Sequence, residues 1–180
     1  MGLKNMLRQK VLRLISFLFK REKKDMEEKR LGVYQINEIV FIQAYSKTVA
    51  GISTLDGPSF QARMEDMQGI GQSVLEAFKE CKLGIPDFPY ERYDNKTDPL
   101  LLATKKKNWF KLQKASLSAV IKKNDRTIGF IPKKFKGNTG PNRGYDWLED
   151  KAIATEDLSP ENLGTCLIKA LELSENPFLN

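Results

Sequence analysis

The stretches IGQSVLEAFKEC (Ile70 to Cys81) and LGTCLIKALELS (Leu163 to Ser174) carry one pattern of apolar and polar positions at an offset of 93 residues (163 minus 70). Ile70, Val74, Leu75 and Phe78 align with Leu163, Leu167, Ile168 and Leu171. Gly71 aligns with Gly164, and Ala77 with Ala170. Apolar residues at i, i+4, i+7 and i+8 make a single stripe along a helix, so each stretch predicts a helix with one buried face. Asp66 is placed to cap the first and Gly84 to end it; Ser159-Pro160-Glu161 opens the second. The shared glycine predicts a close helix–sheet approach where any Cβ would collide.

Strand-like alternation precedes both helices. VYQINEIVFIQAY (Val33 to Tyr45) is rich in β-branched and aromatic residues. AGISTL follows, then Asp56-Gly57 as a tight turn, with SFQARM returning. In the second half NWFKLQ and SLSAVIKK read as strands, Asn124-Asp125 as a hairpin turn and RTIGFIP as the return. IPDFPYERYDNKTDP is an irregular connection, and KKFKGNTGPNRG a basic, glycine-rich loop. The expectation is an α+β fold of two antiparallel sheet-plus-helix halves related by internal duplication, each helix covering its own sheet. Residues 33–180 then form one domain, and residues 1–32 an N-terminal helical extension.

Within that extension, residues 3–20 alternate as an amphipathic helix with a basic polar face. The run LISFLF is too short to span a bilayer, and KREKK follows it where a secretory signal would be cleaved. The helix suits an anionic membrane surface or a partner; a peripheral extension, or translation from Met26, are the alternatives.

Charge sharpens this picture. The net +7 divides into +6 for residues 1–32, −4 for 33–102, +11 for 103–144 and −6 for 145–180. Such segregation implies a charged partner. The chain has no histidine, which removes the usual general base and the commonest metal ligand. Cys81 and Cys166 have no CxxC neighbour and read as reduced packing residues, fitting a cytoplasmic protein; a disulfide between the equivalent helices is the alternative.

GIGQSV lacks the third glycine of a dinucleotide fingerprint, with Val74 in its place, and KKFKGNTGPNRG lacks the order of a phosphate loop, so no cofactor is expected. Two candidate surfaces remain. Lys133, Lys134, Lys136 and Arg143 are placed for nucleic-acid phosphates, with Phe135 for stacking. Asp146, Glu149 and Asp150 surround Trp147, an acidic rim about an aromatic anchor that suits a protein partner. Nothing assembles a catalytic set, so no enzyme is expected.

The order from Trp109 through SLSAVIKKNDRTIGFIP, a glycine-containing loop, GYDWLEDKAIAT and LSPENLGTCLIKALELS resembles the CdiI immunity proteins of bacterial contact-dependent growth inhibition systems. The likeness covers roughly residues 33–175, with most of it in the second half. It implies a small, cytoplasmic, non-enzymatic protein that binds one cognate toxin domain and blocks it. It also implies a fold similar to the Whirly single-stranded nucleic-acid-binding proteins, which makes weak single-stranded nucleic-acid binding the alternative function. The acidic segments 87–98 and 145–161 would then mimic the substrate of a nuclease toxin. Deleting residues 1–25 is expected to leave a cooperative thermal melt intact; if the segment is an interfacial anchor, the full chain sediments with anionic vesicles and the truncated one does not.

Overall fold

The computed structural model describes residues 28–87, 97–124, 126–139 and 143–179. The amphipathic segment 3–20, Met26 and most of the acidic connection 87–98 lie outside them. The first half holds β1 (Lys29–Ile36), β2 (Ile39–Thr48), β3 (Ser53–Arg63), α1 (Met67–Lys79) and β4 (Leu83–Ile85). The short helices α2 (Pro99–Thr104) and α3 (Trp109–Lys114) come next. The second half holds β5 (Leu117–Lys123), β6 (Ile128–Gly137), β7 (Gly144–Trp147), a 3-10 turn (Glu149–Lys151), β8 (Ile153–Thr155) and α4 (Pro160–Glu172).

The strands form one eight-stranded sheet rather than two, in the order β3-β2-β1-β5-β6-β7. β8 pairs antiparallel beside β6, and only the short β4 runs parallel, beside β2. The expected two sheets are fused by the central antiparallel pair β1–β5, in which Val33 faces Ala119. β1 starts at Lys29, inside the segment assigned to the extension.

Strand alternation sorts side chains to two faces. Leu31, Val33, Val40, Ile42, Ala119, Ile121, Ile128 and Phe130 meet the apolar stripes of α1 and α4 in the main core. α1 lies over β1–β3 and α4 over β5, β6 and β8, so each helix covers its own half of the shared sheet. Tyr34 and Phe41 point the other way, against Leu100, Leu101 and Leu112 of α2 and α3.

α1 and α4 touch directly. A Cβ on Gly71 would overlap the backbone of Pro160, the first residue of α4, and a Cβ on Gly164 would overlap the backbone of Met67, the first residue of α1. Met67 and Pro160 are themselves 93 residues apart (160 minus 67), so the contact is reciprocal. The glycines therefore serve a helix–helix crossing, not the helix–sheet approach expected from sequence.

Asp66 does cap α1, its Oδ1 accepting from Gly69 N at 2.7 Å. Gly84 does not end it: the helix stops at Lys79, and Gly84, at φ +69°, belongs to β4. Asp56-Gly57 is not a hairpin turn either. The reversal between β2 and β3 comes earlier, where Gly51 at φ +81° donates to Thr48 O at 2.9 Å. Gly57, at φ +76°, lies where the β2–β3 register shifts between Gln43 and Ala44, so its backbone freedom serves a bulge. NWFKLQ is helical: Asn108 Oδ1 accepts from Lys111 N at 3.0 Å and Leu112 is buried under the turn. The basic loop is a strand for half its length, since β6 extends to Gly137.

Gly71→Ala and Gly164→Ala test the crossing. In an open helix interior each change should stabilise by about 1 kcal/mol. Here each should destabilise by about 1–3 kcal/mol in urea melts. The double variant should cost less than the sum, because one clash already parts the helices. Stabilisation by either single change would contradict the close contact.

Candidate partner-binding surface

The face of the sheet opposite the two long helices is aromatic and basic. Arg30 and Tyr34 of β1 lie on it, with Tyr45 and Phe41 of β2 and Lys122 and Ser118 of β5 directly across. Between Arg30 and Tyr34, Gly32 leaves room for the Tyr45 ring: a Cβ there would come 3.2 Å from Tyr45 Cε2. Lys133 and Phe135 of β6 face Trp147 and Tyr145 of β7 in register.

Trp147 lies across this face, 39% exposed. Lys122 Nζ is 4.6 Å from its ring centroid, and Arg30 Cζ 5.9 Å. At that spacing the negative ring face attracts both cations. Glu28 balances them in part, 2.7 Å from Arg30 Nη2 and 3.6 Å from Lys122 Nζ. The remaining Arg30 donor, Nε, is buried with no hydrogen-bond partner.

Deeper in the face, Lys133 is 5% exposed, and its ammonium makes no ion pair with any described residue. It sits 4.9 Å from the Tyr145 ring and 5.7 Å from Tyr34. Burial pushes its pKa down to about 8. Burial also raises the Tyr34 and Tyr145 hydroxyls well above their usual range. The Tyr145 hydroxyl lies beside Ser116 and Ser118, whose oxygens temper that rise. Both serine hydroxyls themselves donate to backbone carbonyls, of Leu112 at 2.9 Å and Val33 at 3.0 Å.

At the end of the sheet this face borders a cavity of about 100 Å³, lined by Lys29, Arg30, Tyr45, Lys47, Cys81 and Lys82 among others. Lys82 reaches Asp56 at 3.7 Å, and Lys29 Nζ donates to Phe78 O at 3.0 Å. The Cys81 thiol donates to Arg30 O at 3.4 Å, and burial raises its pKa, so it is held as a thiol rather than a reactive thiolate. Cys81 and Cys166 are both free.

The two residue sets expected from sequence are rearranged. Asp146 projects to the opposite side of β7 from Trp147 and pairs with Lys136 at 2.8 Å. Glu149 and Asp150 are exposed on the 3-10 turn beyond it. Trp147 is therefore ringed by cations, not by the acidic rim foreseen. In the nucleic-acid set, Phe135 is 1% exposed, its ring tilted against that of Tyr145 at 5.1 Å between centroids, so it is closed to a base. Lys134 is bound to Glu175 at 2.7 Å, and Arg143 is exposed. Glu175 also meets Lys151 at 2.8 Å, and the two lysines hold its carboxyl at about 2. Among the described residues no group of three or more Cys, Asp or Glu is placed to hold a metal, and no helix is long and apolar enough to cross a membrane.

Arg30, Lys122 and Tyr45 went unnoticed in the sequence. Their signal was pairing across β1, β2 and β5, which appears only when strand register is known.

No family model matches the chain, and no curated protein matches it. Two of the solved structures that share its fold are these. One is a protein of unknown function, NMB0488, from Neisseria meningitidis, 19% identical, with a TM-score of 0.65 over 83% of this chain and 97% of that one. The other is a chain of the CdiA-CT/CdiI toxin and immunity complex from Yersinia pseudotuberculosis, 18% identical, with a TM-score of 0.61 over 82% of this chain and 98% of that one.

Lys133 makes stability depend on pH. Between pH 8 and 10.5 the unfolded chain holds a proton on Lys133 that the folded chain has released, so this contribution to stability rises with pH. The buried tyrosines and cysteines oppose it at higher pH, because they stay protonated in the fold while their unfolded counterparts ionise. Lys133→Met isolates the lysine. The variant should be about 2–3 kcal/mol more stable than wild type at pH 7, and the gap should close by about 2 kcal/mol at pH 9.5. A gap independent of pH in urea melts would show that Lys133 is solvated.

Proposed function

We propose that this chain is an immunity protein: it binds the C-terminal toxin domain of a contact-dependent growth inhibition effector, one to one in the cytoplasm, and neutralises it by occluding the active site. The observation that carries the reading is the shared fold with a chain of a toxin and immunity complex, over 98% of that chain. An exposed tryptophan among charged residues supplies the kind of anchor a tight interface needs. Inhibition by occlusion requires no catalytic group, in keeping with a chain that has no histidine.

The same reading takes the two halves as an internal duplication of Whirly-like character. Its support is the reciprocal contact in which Gly71 meets Pro160 and Gly164 meets Met67 at one offset. The alternative, single-stranded nucleic-acid binding, loses support with its residues: Phe135 and Lys133 are buried, while Lys134 and Lys136 are engaged by carboxylates.

Co-expression with the toxin encoded beside it tests the proposal. Protection should titrate near one to one and fail once toxin exceeds inhibitor. Substoichiometric protection, with toxin modified or degraded, would overturn the occlusion reading. Trp147→Ala should speed dissociation at a cost of about 2 kcal/mol or more. Its thermal melt should fall as well, because most of the residue is covered and two cations pack on the ring, so dissociation is compared where the variant is folded. Charge reversal at Glu149 and Asp150 should alter association more than dissociation if they lie on the rim. Asp146→Lys should lower stability as well, since Asp146 is tied to Lys136.

A further inference from the structure

The two short helices that cover one end of the second face have an outer side that is apolar and basic. Leu100, Leu101 and Leu112 point inward, against Tyr34 and Phe41. The helical period therefore turns Leu102 of α2, and Phe110 and Lys111 of α3, away from the sheet. Leu102 is 60% exposed and Phe110 40%. Lys105 ends α2 in the left-handed region, at φ +55°, and Lys106 and Lys107 lead on to α3. Among the described residues no carboxylate pairs with Lys105, Lys106, Lys107 or Lys111. Residues 99–124 contain no aspartate, glutamate or arginine.

The C-terminal turn completes this surface. Asn176 is buried at the end of α3, where its Nδ2 donates to Ser116 O at 2.7 Å and to Gln113 O at 2.9 Å. Its Oδ1 accepts from Phe178 N at 3.1 Å. Phe178 is thereby held beside Phe110, with the Lys114 ammonium 4.6 Å from the Phe178 ring centroid and 4.8 Å from that of Phe110. Phe178 and Leu179 are 45% and 47% exposed. Singly exposed apolar side chains need no explanation. Here Phe110, Lys114 and Phe178 meet, and a buried asparagine fixes the meeting.

We propose that this surface lies on an anionic lipid bilayer, with Leu102, Phe110 and Phe178 entering the boundary between headgroups and acyl chains and the lysines resting on lipid phosphates. Lysine suits that position because its stem lies along apolar surface while the ammonium stays at headgroup level. Apolar side chains and anionic headgroups then contribute together. The contact is peripheral, since no described helix is long and apolar enough to cross a membrane. A protein interface fits less well, because lysine is depleted there and arginine enriched, and α2 and α3 carry only lysine. A nucleic-acid strand fits less well too: Lys114 already lies over both exposed rings, where bases would stack. The proposal is independent of the immunity reading.

Co-sedimentation of the full chain with vesicles of equal parts phosphatidylglycerol and phosphatidylcholine tests it. Residues 3–20 are a separate basic element by sequence, so every variant leaves them intact and is compared with wild type. Wild type should bind these vesicles, more weakly as salt rises, and bind pure phosphatidylcholine far less. Lys105→Gln, Lys107→Gln and Lys111→Gln together should weaken binding about a hundredfold, about fivefold for each charge, with the melt unchanged. Leu102→Gln should weaken it severalfold, also without altering the melt, because the side chain is mostly exposed. Phe110→Gln and Phe178→Gln should weaken it further; where either lowers the melt, Leu102→Gln decides. Failure of wild type to bind, equal binding to pure phosphatidylcholine, or a lysine triple variant that binds as well as wild type would overturn the proposal. So would loss of binding in the lysine variant with none in Leu102→Gln, since charge would then act without insertion. Displacement of wild type from the vesicles by a deoxythymidine decamer at equal phosphate concentration would put nucleic acid in place of the bilayer and overturn it as well.

Discussion

The fold depends on two helices coming closer than side chains allow. Gly71 and Gly164 each lie against the first residue of the opposite helix, and neither position has room for a Cβ. At ordinary spacing, helix axes stay 8–10 Å apart and side chains interlock between them. Here backbones meet, so α1 and α4 fit side by side over one sheet. That arrangement commits the whole inner face of β1, β2, β5 and β6 to one core. Each helix pays for its glycine with about 1 kcal/mol of lost helix propensity, offset by the buried stripes of Ile70, Val74, Leu163 and Leu167.

Both long helices were legible because their stripes, and the starts at Asp66 and Ser159-Pro160, are local signals. β5 and β6 were legible for the same reason. What failed was non-local. Nothing in the sequence separates two sheets from one, because the joining pair β1–β5 links residues some 90 positions apart. Asp56-Gly57 carries a turn signal that the fold uses for a bulge, since the reversal had already occurred at Gly51. The helix at Pro99 did have a local signal: Asp98 Oδ1 accepts from Leu100 N and Leu101 N at 2.9 and 3.0 Å, ahead of an apolar run. The irregular, proline-punctuated connection before it masks that cap.

The candidate surface shows the same division. Trp147 was legible as an anchor, but its surroundings were not. Neighbours in sequence point to opposite faces of a strand, so Asp146 leaves the ring, and Lys122 and Arg30, from strands two and three places away, reach it. A run of basic residues likewise divides by parity: Lys133 and Phe135 turn to the tyrosines of the second face, while Lys134 and Lys136 turn to carboxylates on the other side. Charge counted along the chain therefore misstates charge counted over a face. The second face is basic and aromatic although half its residues come from acidic segments.

In the proposed function a partner docks on this second face, at Trp147. Hydroxyl-radical footprinting of the chain, alone and with the toxin domain of the proposed effector, measures this directly through the oxidation rate of each exposed side chain. Trp147 should be protected, while Leu158 and Leu173, at the ends of α4, keep their rates. Protection at Leu158 and Leu173 with Trp147 unchanged would place the partner on the helical face and contradict the account.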